Sequence, residues 1–471
     1  MGVPSQCLIG IQVSSSTSGL DHIVHDFLLF RRLTMFPPDT TTSPGEVMFT
    51  MVDSFLSVLC PDWKIRLLGV TCSDGARNMT GHVAGVVTRI DNAMHEACQL
   101  TRIWCGAHQL DLVMEYIMSH VIKQRFFSVL TGFITHLTRQ LNLIAEMDTT
   151  CPRIVNRWLS TEKVISWFKR HRPRLLAHIA EKQPASAPPR LWWVALLAMH
   201  HFTSRVAITF KSIQGLTTLA DQQQSALNSL IDNFIVDVGV TGPLTAESIA
   251  ALDPSTHVVC GLYAVSLESV QEFLCGLGTW VETLINEVLE SEQKDLYRDI
   301  ALVYVTACHK VDSISIYRDH NNNPCHDPNS LPPVLPHELV RLTAANFIRK
   351  IRQHAFRLEH RYAAGQVEVI ADEHKTLLYA YQSEPVLKAA IDSLSSRSSF
   401  EEGWSLLGSR LPNLMEYCGV VATLFPGTST VESDFSILRW EKDCFCNGLS
   451  DFGLEGVLQT KQYLFIEQFE K

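Results

Sequence analysis

Two hydrophobic periodicities share the first third of the chain. Leu8-Ile-Gly-Ile-Gln-Val13 reads as a buried strand running into the Ser/Thr turn at 14–18. Ser43, Pro44 and Glu46 make a helix start: a capping-box Ser and Glu three apart, with Pro at the first helical position. Met48, Met51, Val52, Phe55 and Leu59 then recur on one helical face. Ile65 to Cys72 predicts a second strand, and Ser73-Asp74-Gly75 is a turn signal directly after it. Arg102 to Cys105 predicts a third, entering a long helix from about His108. Strands separated by helices predict an α/β layer with parallel pairing.

From about residue 151 the pattern is helical almost throughout. Val270, Phe273, Leu274, Leu277, Val281, Leu284, Ile285 and Val288 keep helical spacing as though in one long helix. The Pro-rich stretches 183–189 and 320–336 predict long loops. The most apolar run, Leu191 to Met199, is too short to span a bilayer. A last amphipathic section begins at Pro426-Gly427.

Composition narrows the classes. A chain of 471 residues is too long for one core and predicts two or three domains. With 46% apolar residues and ordinary Gly and Pro usage, collagen-like and wholly disordered chains are excluded. The formal charge of −10 means that nucleic-acid contact must use a local basic face. Thirteen scattered cysteines, an odd number, predict free thiols in a reducing compartment. No basic stretch precedes the first short apolar run, which argues against a secretory signal, so a soluble intracellular protein is expected.

Four groups of residues could carry chemistry. Asp74 follows a strand end, where open α/β sheets place functional side chains, although a turn Asp bonding its own backbone is the simpler reading of the local sequence. Ser429 and Glu432 form a capping box, and Glu432 could also serve as a hard oxygen ligand for a divalent metal. His95, Cys98, Cys105 and His108 have spacings open to zinc, but buried helix–sheet packing is the simpler reading. Two basic stretches interrupt the acidic background: 153–174, with Arg157, Lys163, Lys169, Arg170 and Arg172 around Trp158 and Trp167, and 341–361, with Arg349, Lys350, Arg352 and Arg357. They could neutralise phosphates and stack unpaired bases, or form solvated helix faces over core tryptophans.

Read in order, these pieces resemble one family. Gly69-Val-Thr-Cys-Ser-Asp-Gly-Ala-Arg-Asn-Met-Thr-Gly81 is similar to the second-Asp motif of hAT-type DNA transposases. Ile103-Trp-Cys-Gly-Ala-His-Gln-Leu-Asp-Leu-Val113 resembles their Cys-x-x-His segment, and Asn156-Arg-Trp-Leu-Ser160 their Arg-Trp motif. Phe425-Pro-Gly-Thr-Ser-Thr-Val-Glu-Ser-Asp-Phe-Ser-Ile-Leu-Arg-Trp440 resembles the C-terminal region with the last acidic residue and the dimerisation segment.

The resemblance implies an α/β RNase H-like core interrupted by a large all-α insertion domain. Residues 1–150 would be the first part of the core, 151–425 the mainly helical insertion, and 426–471 the hAT dimerisation region that completes the core. Three carboxylates in such a core hold two Mg²⁺ or Mn²⁺ ions for in-line attack on DNA phosphates. Carried over, Asp74 is the second carboxylate and Glu432 the third. Arg157 and Trp158 would contact the DNA end, and Cys105 and His108 would support the site without binding structural zinc. Phe435, Leu438, Leu454 and Leu458 would lie on the dimerising face, giving a nuclear homodimer.

The first carboxylate is missing. Ser14 stands where the family carries Asp, and a neutral hydroxyl cannot bridge two divalent cations. Asp21 lies seven residues on, about 23 Å away in an extended chain, and only a tight turn back could bring it near. The stretch from Gly19 to Phe30 also looks short for the family's second strand, and no zinc finger precedes the core. The expectation is a hAT transposase-derived protein that is catalytically inactive, dimerises, and binds transposon ends weakly. The alternative is an active cut-and-paste transposase whose incomplete triad is compensated by water or a neighbouring acid.

Overall fold

The computed structural model of the chain describes residues 6–16, 22–32, 44–72, 77–154, 158–215, 218–319, 321, 323–325, 331–361, 364–395 and 397–424. The fold is mainly helical, with three small sheets. Its strands are β1 (Gln6–Ser16), β2 (His22–Arg32), β3 (Gly69–Cys72), β4 (Thr101–Trp104), β5 (His257–Cys260), β6 (Tyr263–Ser266) and β7 (Tyr317–Arg318). Two compact units divide the chain. One gathers Met1–Gly106, Gln214–Gln224 and Ser315–Lys471; the other holds Ala107–Ile213 and Ser225–Ile314. These divisions fall elsewhere than the sections at 150 and 425 read from the sequence. The helical unit starts at Ala107, and the residues after Ser315 return to the unit of the N-terminal strands.

In the first unit β1 and β2 form an antiparallel pair, in register from Gln6 opposite Arg32 to Ser16 opposite His22. The second strand pairs with β1 residue for residue along its length. Asp21 lies outside the described residues. A second sheet has the order β3-β4-β7, with β3 parallel to β4 and β7 antiparallel to it. The predicted strand from Ile65 loses its first half to a helical turn, Trp63–Arg66. β7 had no sequence signal, because two residues cannot show a period.

Helices bury this sheet. Ile103 of β4 and Ile316, beside β7, share a core with Leu335, Phe347, Trp404 and Leu414. The Trp404 indole N–H donates to the Val334 carbonyl at 2.9 Å, so the largest ring in that core leaves no polar atom unpaired. A smaller core joins Val52 and Leu56 of the Pro44–Leu59 helix to Trp63, Val86 and Ile90.

The second unit is helical apart from the β5–β6 hairpin. The apolar run Leu191 to Met199 lies inside the Arg190–Ile213 helix, with Trp193, Leu196 and Ala198 fully buried. Phe202, Phe234 and Tyr304 pack edge-on or stacked around one another at 5.2–5.5 Å. The long pattern from Val270 to Val288 is two helices, Leu267–Gly276 and Thr279–Asn286. Gly278 breaks it with φ of 131°, a conformation that a residue with a Cβ rarely adopts. Among the described residues no helix is long and apolar enough to cross a membrane.

Candidate functional site

The parallel pair in the first unit fixes where the predicted site would be. Gly69 is opposite Thr101, Val70 opposite Arg102, Thr71 opposite Ile103 and Cys72 opposite Trp104. Both strands therefore end at the same level. Asp74 follows Cys72 by two residues, and Cys105 follows Trp104 directly. Asp74 itself lies outside the described residues, as do Arg157, Glu432, Phe435, Leu438, Leu454 and Leu458. For Ser14 the backbone is described: it sits near the turn end of β1, opposite Val24.

Two contacts join distant segments in this unit. A Cβ on Gly69, at the start of β3, would lie 2.6 Å from Leu424 Cδ2 and 2.7 Å from the Thr101 carbonyl oxygen. Glycine is what lets the backbone of β3 approach both. Leu424 immediately precedes the motif that contains Glu432. The Pro412–Ala422 helix, just before it, packs beside β1.

A frame of buried cations holds the sheet. Arg102 of β4 is nearly buried and meets Asp91 at 2.6 Å. Arg357 is also buried, and its Nε donates to the Ile65 carbonyl at 3.1 Å. Its Nη2 donates to Leu67 at 3.0 Å and to Gln99 at 2.9 Å. These carbonyls precede β3 and β4, so one planar fork pins the entrances of both parallel strands. Burial lowers the Arg357 pKa, and the Cys98 thiol and Tyr417 phenol beside it act in the opposite sense. At the other end of β4, the Arg318 guanidinium lies 4.4 Å from the centre of the Trp104 ring.

Arg357 thus differs from its reading as a phosphate contact: it is buried and engaged by backbone carbonyls. Arg349 bonds Asn346 Oδ1, and Lys350 reaches the Leu331 carbonyl. In the other stretch Trp158 is buried, edge-on to Phe210 at 5.4 Å. As folded, it has no free face on which a DNA base could stack, which corrects the role drawn from the Arg-Trp motif. Trp167 is buried as well, and Arg172 lies over the Trp280 ring. Lys163, Lys169 and Arg170 remain exposed on the Trp158–Lys182 helix.

The four potential zinc ligands are dispersed. His95 stacks on Phe356 at 4.4 Å, and the Cys98 thiol points to the Ile65 carbonyl at 3.6 Å. Cys105 is buried at the end of β4, and His108 is half-buried in the first turn of the Gly106–Tyr116 helix. Among the described residues no three His, Cys, Asp or Glu side chains come together as a metal site. A half-buried acidic pair absent from the sequence reading lies in the same unit. The Tyr317 hydroxyl donates to Asp221 at 3.3 Å, and the Asp221 charge disfavours ionisation of Glu338. Burial, with Asp221 adding to it, pushes the Glu338 carboxyl up to about 7. No signal in the sequence could have paired residues so far apart. No protein-family model matches the chain.

Proposed function

We propose that this chain is a hAT transposase-derived protein that no longer cleaves DNA, dimerises through its C-terminal region, and contacts DNA weakly from its helical unit. The observation that supports the reading best is the first unit. It draws on both ends of the chain around a parallel strand pair whose second member runs into the helical unit. Leu424, eight residues before Glu432 in the sequence, approaches Gly69, five residues before Asp74, and this supports the reading that the two acids belong to one site.

The donor set limits the chemistry. Two carboxylates and the Ser14 hydroxyl supply too little negative charge to hold two divalent cations close together. Each 1.4 kcal/mol of lost transition-state stabilisation costs about tenfold in rate, so loss of a bridging ligand is enough to silence cleavage. Exposed Lys163, Lys169 and Arg170 offer phosphate contacts without base readout, a form of binding that falls steeply with salt.

The decisive comparison is strand cleavage of element-end DNA with Mg²⁺ or Mn²⁺ by the natural chain and by Ser14→Asp. The proposal expects no cleavage by the first and metal-dependent cleavage by the second. Cleavage by the natural chain would establish the alternative, an active transposase with a compensated triad. Light scattering at micromolar concentration tests the dimer, and a strictly monomeric mass would remove that part.

A further inference from the structure

We infer that a small cavity in the first unit, walled by Arg357, His354 and Tyr417, is a binding site for a halide ion, with chloride as its natural occupant. The cavity measures about 30 Å³, and its remaining walls are apolar apart from Arg66. That is room for about two atoms of water size, and too little for a phosphate or sulfate. Arg357, His354 and Tyr417 are 7%, 4% and 4% exposed, so all three are more than nine-tenths buried. Arg66 is exposed, so one wall of the cavity borders solvent.

The polar groups of this wall are donors in need of an acceptor. Arg357 Nε and Nη2 serve the Ile65, Leu67 and Gln99 carbonyls, and Nη1 donates to His354 Nδ1 at 3.0 Å. One hydrogen of Nη1 is left over. Because His354 Nδ1 accepts, the neutral ring carries its proton on Nε2, and Nε2 has no partner among the described residues. The Tyr417 hydroxyl has none either. Burial, with Arg357 adding to it, lowers the His354 pKa to about 4, so the ring is neutral at pH 7. No carboxylate offsets the guanidinium: the groups that favour its charge are the Cys98 thiol and the Tyr417 phenol, both held neutral by raised pKa values. Arg66 adds a second positive charge, shared with Asp62 at 3.7 Å. A water there would have to place its own hydrogens among donors, and it brings no charge. A halide accepts from the donors and offsets the buried cation.

The test follows the melting temperature of the full chain as potassium chloride replaces potassium gluconate at constant ionic strength, so that screening is held fixed. The expected result is a rise with chloride that levels off at saturation and is reproduced by bromide. Crystals grown in bromide should show an anomalous peak in the cavity. Tyr417→Phe removes one donor and keeps the ring, so the fold should persist while the halide concentration for half the effect rises by about tenfold or more. A melting temperature indifferent to chloride would overturn the inference, as would a chloride response that Tyr417→Phe leaves unaltered. Bromide peaks confined to other places would overturn it as well.

Discussion

Arg357 Nη2 and the Leu67 carbonyl meet at 3.0 Å, joining a helical residue late in the chain to the last turn before β3. The same nitrogen serves Gln99 before β4, and Nε serves Ile65. Removing the guanidinium strands these carbonyls in a buried setting, where each unpaired group costs on the order of 1–3 kcal/mol. Arg357→Met should therefore destabilise the first unit by about 2–4 kcal/mol. Its effect on the salt dependence of DNA binding should be nil. Urea denaturation and gel-shift titration measure the two; a weaker salt slope with unchanged stability would return Arg357 to the DNA-contacting set.

Trp158 gives a contrast between two substitutions. Its ring is buried against Phe210, and its Nε1 has no hydrogen-bond partner among the described residues. Trp158→Ala leaves a cavity and should cost about 3–5 kcal/mol. Trp158→Phe keeps an aromatic ring and removes the unpaired donor, so it should cost much less. If Trp158→Phe keeps full stability but abolishes binding to DNA ends, the indole acts on DNA after a local opening of the helix start.

Glu338 sets a pH dependence. Its folded pKa is raised to about 7, so the fold favours the protonated form. Its contribution is fully present below the ordinary carboxylate range and is lost as pH rises through about 7. Asp221, raised chiefly by burial, acts in the same direction, against the opposing influence of Lys350 and the Tyr317 hydrogen bond; Arg341 opposes the rise at Glu338. Glu338→Gln should leave stability at pH 4 unchanged and raise it at pH 8 by about 2–3 kcal/mol. Denaturant midpoints at the two pH values check this, and an unaltered difference between them would remove Glu338 as the source.

Local signals carried the sequence reading as far as they reach. Gly69–Cys72 and Thr101–Trp104 were legible as strands because β-branched and apolar residues run into turn and helix signals. Their parallel pairing followed from the helix between them. The break at Gly278 was hidden because the apolar spacing on either side stays in phase across it. β7 was hidden because two residues carry no period, and the basic segment around Arg357 was ambiguous because charge does not reveal whether a cation meets water or carbonyls. Asp221 beside Glu338, and His354 sharing a cavity with Tyr417, exist only after folding has joined distant segments. Of the predicted site, the described residues give the strand ends and the backbone of Ser14, and the acids themselves lie outside them.

The chain passes between its two units four times, at Gly106, Ile213, Gln224 and Ile314. On the ribosome this imposes an order of assembly. The helical body can close as soon as Ile314 has emerged, whereas β4 waits for β7, and the guanidinium that grips both strand entrances is made later still. Nascent chains halted shortly after Ile314 should thus hold a protease-resistant helical body beside N-terminal strands that are still open to digestion.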